Sequence, residues 1–341
     1  MKRVICVFIA LLAATGAFAA FNFTEFQAAS DAFAGSVANS LPFNSSVGLN
    51  WSDAYIGQIL DLPPHFGVGV TLGATTIPSA AVTQMLTALG ITLPSSISQY
   101  LQYGVPLPAY TLEGRIGGFL LPFDIGVKFG YIPSGFVQSL GVPIDVNYVL
   151  AGVDLRFALV KEDLLLPDVS IGAGYTFMRG SVGISGLLGG AVDVGSFTIP
   201  GEATHTLSFT DPAVNFTWNT NVIDFKAQVS KTILFVRPYL GAGVSYGISS
   251  AGGGLYSSLL IDGVAPSAAT IAQYNQLLQA AGQDVTLSDQ GFLVQASASG
   301  WAVRAFGGVS LDLLVLKTDF TGMYNFTSGS FGGSLGLRLQ L

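Results

Sequence analysis

Two serines lie in the Gly-x-Ser-x-Gly pattern that presents the nucleophile in many serine hydrolases. The matches are centred on Ser245 and Ser334. That chemistry needs a sharp turn from a strand into a helix, and a histidine within reach of the serine. Both matches lie inside segments with the pattern of uninterrupted strands, and neither His65 nor His205 has a motif around it. We therefore predict no catalytic residues and a protein that is not an enzyme.

Residues that bind metals or cofactors are scarce. The chain has one cysteine, Cys6, and two histidines that are far apart in sequence. A zinc site needs a cluster of such ligands, and a calcium loop needs closely spaced carboxylates, which the sequence lacks. We predict no metal and no cofactor.

Charged residues of opposite sign recur at short spacing within the predicted strands. Most of the pairs are two residues apart, and one pair is four apart, so both members share a face of their strand. Isolated buried charges are costly, and we expect these residues to pair inside a lumen. One interpretation is a structural network that joins strands, which the balance of signs favours; the other is a charge-selective constriction. The set comprises Glu113, Arg115, Asp124, Lys128, Asp154, Arg156, Asp224, Lys226, Lys317 and Asp319.

The elements that must position these charges have a period of two. In Phe123–Tyr131 every odd residue is apolar and every even residue is polar or glycine, and similar segments recur through the chain. Successive side chains of a strand point to opposite faces, so one face suits lipid and the other suits a lumen. A soluble β-sandwich alternates too. However, its strands are nearer five or six residues, whereas the segments here are about ten, as in membrane barrels.

Composition supports the membrane interpretation. Of the 341 residues, 50% are hydrophobic and only 10% are charged, whereas a soluble domain has about 25% charged residues. Beyond the N-terminal region no apolar run is long enough for a membrane helix. Strands in lipid must therefore close into a ring that satisfies their backbone groups. The net charge of −7 argues against nucleic acid as a partner.

The N-terminal region divides into two parts. Residues 1–19 have a basic start, an apolar stretch and Ala17-Phe18-Ala19, which is typical of a secretory signal peptide. Residues 20–43 have apolar side chains near helical spacing, and they form either a hatch inside the barrel or a periplasmic cap. Residues 44–341 are predicted to be the transmembrane β-barrel.

Thirteen segments have the pattern of strands, among them 45–55, 191–200, 203–210 and 213–230. Bacterial single-chain barrels have an even number, so we predict an all-β, antiparallel transmembrane barrel of about 12–14 strands. Two long loops, 77–109 and 250–291, carry short helices near residues 78–89 and 266–281. Such loops lie outside the cell, and the short turns lie in the periplasm.

The alternating strands and the C-terminal segment FGGSLGLRLQL make the chain resemble bacterial outer-membrane β-barrels. That segment looks like the one read by the barrel-assembly machinery, although it ends in Leu341 instead of the usual aromatic residue. In size, N-terminal segment and glycine-rich strands the chain weakly resembles the long-chain fatty-acid and aromatic-hydrocarbon transporter family. The resemblance implies location in the bacterial outer membrane, with outer-membrane lipid and the barrel-assembly machinery as partners.

The functional prediction is passive transport of small molecules, with a small hydrophobic solute as one candidate. A narrow barrel with paired charges suits a restricted path better than a wide pore. The alternative is a non-transport surface barrel, acting as a structural anchor or as an adhesin through its long loops.

Overall fold

The computed structural model describes residues 23–88, 104–136, 138–140, 144–184, 192–198, 204–280 and 291–341. The predicted signal peptide lies outside the described residues. Neighbouring strands of the single sheet are antiparallel. The strands are β1 (Phe66–Ile77), β2 (Val105–Gly117), β3 (Phe123–Ile132), β4 (Ile144–Val160), β5 (Asp168–Ile184), β6 (Val192–Thr198), β7 (Thr204–Ser230), β8 (Val236–Ile261), β9 (Gly291–Leu313), β10 (Leu316–Asn325) and β11 (Ser330–Gln340).

Ten strands close into a barrel. β1 pairs with β11, and β5 pairs directly with β7, so the ring skips β6. β6 pairs with the first residues of β7, outside the ring. The predicted all-β, antiparallel barrel is confirmed.

Burial is the reverse of that in a soluble protein. On β3 the carboxylate of Asp124 is fully buried, whereas Val127 and Phe129 beside it are exposed. The same inversion holds on the other strands of the ring, where exposed apolar side chains alternate with buried polar ones. Each large apolar side chain left in water forgoes about 2 kcal/mol. This outer surface therefore suits hydrocarbon, and the core of the molecule is polar.

The helices are α1 (Phe23–Asn44), α2 (Ser79–Ala88) and α3 (Ala268–Ala280). The predicted helices in the N-terminal segment and in the two long loops are thus confirmed. α1 packs against β8, β9 and α2. None of the described helices has the length and apolar character needed to cross a bilayer.

The ring has fewer strands than the predicted 12–14, for three reasons. Residues 45–55 are not a strand, because Gly48 and Leu49 have positive φ angles of 86° and 58° that break an extended chain. The predicted strands 203–210 and 213–230 are one strand, β7, whose register shifts between Thr210 and Ala213. Pro212 lies in that irregularity, where its missing N–H interrupts the pairing without ending the strand. The predicted strand 191–200 is β6, which lies outside the ring.

The two ends of the barrel differ. The chain turns within residues 118–122, 161–167, 231–235 and 314–315 at one end, which we call the short-turn end. The other end, the long-loop end, carries the connections 78–104, 133–143 and 262–290. β8 continues to Ile261, so the second long loop starts later than predicted.

The wall is uneven in height. β7, β8 and β9 have 27, 26 and 23 residues, whereas β10 and β11 have 10 and 11. About 9–11 residues suffice to cross a bilayer. The taller strands therefore project beyond the hydrocarbon layer at the long-loop end, and the wall has a notch above the turn between β10 and β11.

Candidate functional site: the plugged lumen

The N-terminal segment runs through the barrel. The side chain of Asn44, at the end of α1, donates to the carbonyl of Leu107 at 2.9 Å, near the long-loop end of β2. Ten residues further on, the backbone N–H of Ala54 donates to Ser230 Oγ at 2.9 Å, where β7 ends at the short turns. Residues 45–57 therefore pass down the lumen, and we call them the plug.

Asp53 anchors the lower part of the plug and is 2% exposed. Its carboxylate lies 2.9 Å from Lys317 Nζ, 2.9 Å from Arg237 Nη1 and 2.5 Å from Arg338 Nη2. Burying a carboxylate is costly, and these three cations compensate that cost by supplying opposite charge at contact distance. Asp53 is therefore charged and ties the plug to three strands of the wall.

Wall side chains also bind the backbone of the plug. Lys128 donates to the carbonyl of Ser45 at 2.5 Å, and Lys226 donates to the carbonyl of Leu49 at 3.0 Å. Gln228 Nε2 donates to the carbonyls of Trp51 and Ser52. Arg156 donates to the carbonyl of Asp53. These donors satisfy carbonyls that have no strand partner, so an irregular chain is stable inside the barrel.

Trp51 fills the space between two arginines. Its indole N–H donates to Glu113 Oε2 at 2.6 Å. The Arg338 guanidinium lies 4.8 Å from the ring centroid, and that of Arg115 lies 5.7 Å away. Such cation–π contacts orient both the ring and the guanidinium groups. Trp51 therefore belongs to the lumen, although its residue type would also suit a membrane-interface girdle.

The ten charged residues singled out in the sequence all lie on the lumen side of the wall. Nine of them are buried, and Asp224 is half-buried with its side chain 22% exposed. Glu113 accepts from Trp51 and Thr111, and Lys128 contacts the plug. The other eight form ion pairs, but none pairs with the strand neighbour two residues away.

The ion pairs instead run across strands. Asp124 on β3 binds Arg156 on β4, with Nε at 2.9 Å, and also binds Arg115 on β2. Arg115 further reaches Asp154 on β4 at 2.7 Å, and Asp154 lies 2.7 Å from Lys226 on β7. Directly opposed residues on neighbouring strands have Cβ atoms about 4.5–5.5 Å apart. They are therefore closer to each other than two residues at positions i and i+2 of the same strand.

Glycine makes the longer connections possible. Arg115 crosses β3 above Gly126 to reach Asp154, and a Cβ atom at Gly126 would collide with both side chains. Arg304 on β9 crosses β8 above Gly243 to reach Asp224 on β7, and a Cβ there would lie 2.8 Å from the guanidinium carbon. Part of the glycine on the lumen face therefore serves the charge network.

The predicted set left out several charged members of the network, among them Asp53, three arginines and Asp312. Arg237, Arg304 and Arg338 lie on the polar face of predicted strands, but they lack an opposite charge two residues away. Asp312 ends the predicted strand 291–312, and no opposite charge lies two residues away from it. Asp53 fell in a segment that was predicted to be a strand of the wall. A search for every charge on the polar face would have found the arginines.

Replacing Gly48 with alanine should loosen the plug. Gly48 has a φ of +86°, and a Cβ there would lie 2.5 Å from Thr111 Oγ1 and 2.8 Å from Glu113 Oε1. Strain of this kind costs about 1–3 kcal/mol. We expect Gly48→Ala to lower the thermal unfolding midpoint measured by circular dichroism. Gly35→Ala on α1, where a Cβ meets no atom within 4 Å, is the control and should not lower the midpoint, since alanine favours the helix.

Two cavities flank this arrangement. One, of about 20 Å³, lies between the plug and Lys128, Asp154, Lys226 and Arg304, which is room for about one water molecule. The other, of about 300 Å³, lies at the long-loop end beside α1. We call the larger one the upper cavity. A solute larger than water does not fit in the small cavity.

The comparisons with known proteins give structural likeness alone. No protein-family model matches the sequence, and no curated protein matches it either. Among solved structures, the outer-membrane protease OmpT from Escherichia coli has a TM-score of 0.36 at 12% identity, covering 82% of this chain and 97% of that one. A Pseudomonas aeruginosa FadL homologue has a TM-score of 0.23 at 9% identity, covering 81% and 89%. A deletion mutant of the monoaromatic hydrocarbon channel TodX has a TM-score of 0.22 at 8% identity, covering 81% and 89%.

One of these neighbours corrects the sequence analysis. The prediction that the chain is not an enzyme is contradicted by the similarity to an outer-membrane protease. The prediction assumed that catalysis would require a hydrolase elbow. The structure places Ser245 and Ser334 on the continuous strands β8 and β11, and this observation concerns only those two serines. The neighbours are outer-membrane β-barrels, and the likeness to the FadL type is weak.

Proposed function

We propose that the chain is a bacterial outer-membrane transport barrel whose passage its own plug closes. Small neutral solutes, hydrophobic ones among them, would pass when residues 45–57 shift. The observation that carries this proposal is that one continuous segment, held through non-covalent contacts, runs through the lumen, with a cavity of about 300 Å³ beside it. The long-loop end then faces the exterior, outer-membrane lipid surrounds the wall, and the barrel-assembly machinery inserts the chain.

The contacts of the plug allow such a shift without opening the barrel. Lys317 and Arg237 lie 3.5 and 3.2 Å from Asp312, and Arg338 also binds Asp319. Each cation that holds Asp53 therefore keeps a second carboxylate on the wall. The ring of strand pairs does not depend on the plug, because β1 closes on β11 and β5 on β7.

A reversible lock tests the proposal. The backbone N–H of Ala54 donates to Ser230 Oγ at 2.9 Å and both residues are buried, so cysteines introduced at these positions lie next to each other and can be tested for a disulfide. We expect proteoliposomes containing Ala54→Cys/Ser230→Cys to admit small neutral solutes when reduced and to exclude them when oxidised. The two single cysteine variants are controls and should not respond to oxidant. Equal flux in both redox states would contradict a moving plug.

A second function is favoured by the closed lumen itself and by the tall wall of β7, β8 and β9. In that case the barrel is a surface anchor or adhesin that uses its long loops. If neither the wild type nor the reduced double variant admits any solute tested, transport is rejected and the surface-anchor or adhesin function remains.

A further inference from the structure

We infer that the upper cavity is a binding site for a small neutral molecule with an aromatic or alicyclic body and one hydrogen-bonding group. As the solute class for transport, this molecule depends on the proposed function. Binding is measured without flux, so the two ideas can fail separately.

The cavity lies in the notch of the wall. β9 pairs with β10 only from Arg304 to Leu313, and beyond Arg304 it pairs with β8 alone. The turn between β10 and β11 contributes Thr327 and Ser328, and α1 contributes Ala38 and Pro42. Strands, turn and helix thus border an open cavity in the notch.

The lining is apolar and small on one side. Ala298, Ala302 and Pro42 border the cavity, and Gly300 leaves space there, since a Cβ on it would meet no atom within 4 Å. Trp301 also borders it, with 57% of its surface exposed. An apolar cavity of about 150 Å³ is enough to bind benzene. A volume of about 300 Å³ therefore accommodates a one- or two-ring molecule.

The polar groups of the lining are neutral. Asn39, Asn325, Thr327 and Ser328 supply amides and hydroxyls, and the described residues that line the cavity include no Asp, Glu, Lys or Arg. Asn39 is exposed on α1 beside buried Ala38 and Ser40, and its Nδ2 donates to the Gly35 carbonyl at 2.9 Å. Its Oδ1 is then an acceptor for a ligand hydroxyl. An ionised ligand would lose hydration here without gaining a counter-charge.

Three matched ring compounds test this inference by isothermal titration of the detergent-solubilised full chain. We expect saturable binding of 2-naphthol, weaker binding of naphthalene, and binding of 2-naphthoate that is weaker than that of 2-naphthol by roughly tenfold or more. Gly300→Leu, which fills the cavity, should abolish 2-naphthol binding. Gly322→Leu, on the exposed face of β10, is the matched control and should bind like the wild type.

Asn39→Leu distinguishes a specific hydrogen bond to the ligand from nonspecific partition of the ligand into an apolar cavity. It should weaken binding of 2-naphthol several-fold and leave that of naphthalene unchanged. Absence of saturable 2-naphthol binding to the wild type, equal affinity of Gly300→Leu and wild type, or preference for 2-naphthoate would each overturn the inference.

Discussion

Replacing Asp124 with alanine should cause the largest loss of stability of any single substitution in the wall. Asp124 is 0% exposed and accepts from Nε and Nη2 of Arg156, each at 2.9 Å, and also from Arg115. Arg115 keeps Asp154, whereas among the described residues Arg156 keeps the carbonyl of Asp53 as its hydrogen-bond acceptor. An uncompensated buried charge costs about 3–5 kcal/mol. We expect Asp124→Ala to unfold at a clearly lower urea concentration than the wild type, with unfolding measured by tryptophan fluorescence.

Two further variants check the cause of that loss. Asp163→Ala removes an exposed carboxylate at the short-turn end and should unfold like the wild type. Asp124→Ala/Arg156→Met removes both charges of the pair. It should recover part of the stability lost in Asp124→Ala, because no buried arginine is then left without its carboxylate. If Asp124→Ala unfolds at the wild-type concentration, the network does not stabilise the barrel as described.

Replacing Asp53 with asparagine should have the largest effect on the lumen. The substitution keeps the size of the side chain and removes the charge that three cations share. Breaking a buried ion pair costs up to about 3–5 kcal/mol. The cations keep Asp312 and Asp319 as partners, so the loss falls on the plug. We expect Asp53→Asn barrels in planar bilayers to open to small ions far more often than the wild type.

Asp61→Asn is the matched control, since this carboxylate lies eight residues further on with its side chain 51% exposed. It should conduct like the wild type. Circular dichroism should show unchanged β-structure in both variants. If Asp53→Asn barrels open to ions as rarely as Asp61→Asn barrels, Asp53 does not hold the plug.

The sequence predicted the barrel because its signal is local. A period of two requires only neighbouring residues, and it identified the wall strands from Phe66 to Gln340 and the side of the wall on which the charges lie. Asp124 and Lys128, for example, follow directly from the alternation in Phe123–Tyr131. The helix after Pro78 was also predictable, since proline and glycine mark its limits.

The plug and the pairing scheme were not predictable, because they depend on contacts between distant residues. Residues 45–55 alternate well enough to resemble a strand, and only the left-handed backbone at Gly48 and Leu49 shows otherwise. The partners of Arg115 are set by which strands adjoin β2 and by the gap above Gly126. The sequence alone reveals neither. The strand count failed for a similar reason at Pro212, where a strand continues through an irregularity.

The position of residue 54 in the lumen is the central claim, and disulfide formation tests it most directly. Ala54→Cys/Ser230→Cys is oxidised mildly in native membranes, alkylated, and analysed by mass spectrometry of its peptides. The structure predicts near-complete cross-linking of the peptides that contain residues 54 and 230 within one chain. Two thiols that remain free for alkylation in the folded barrel, and that a short bifunctional thiol reagent does not join either, would contradict a plug that runs through the lumen.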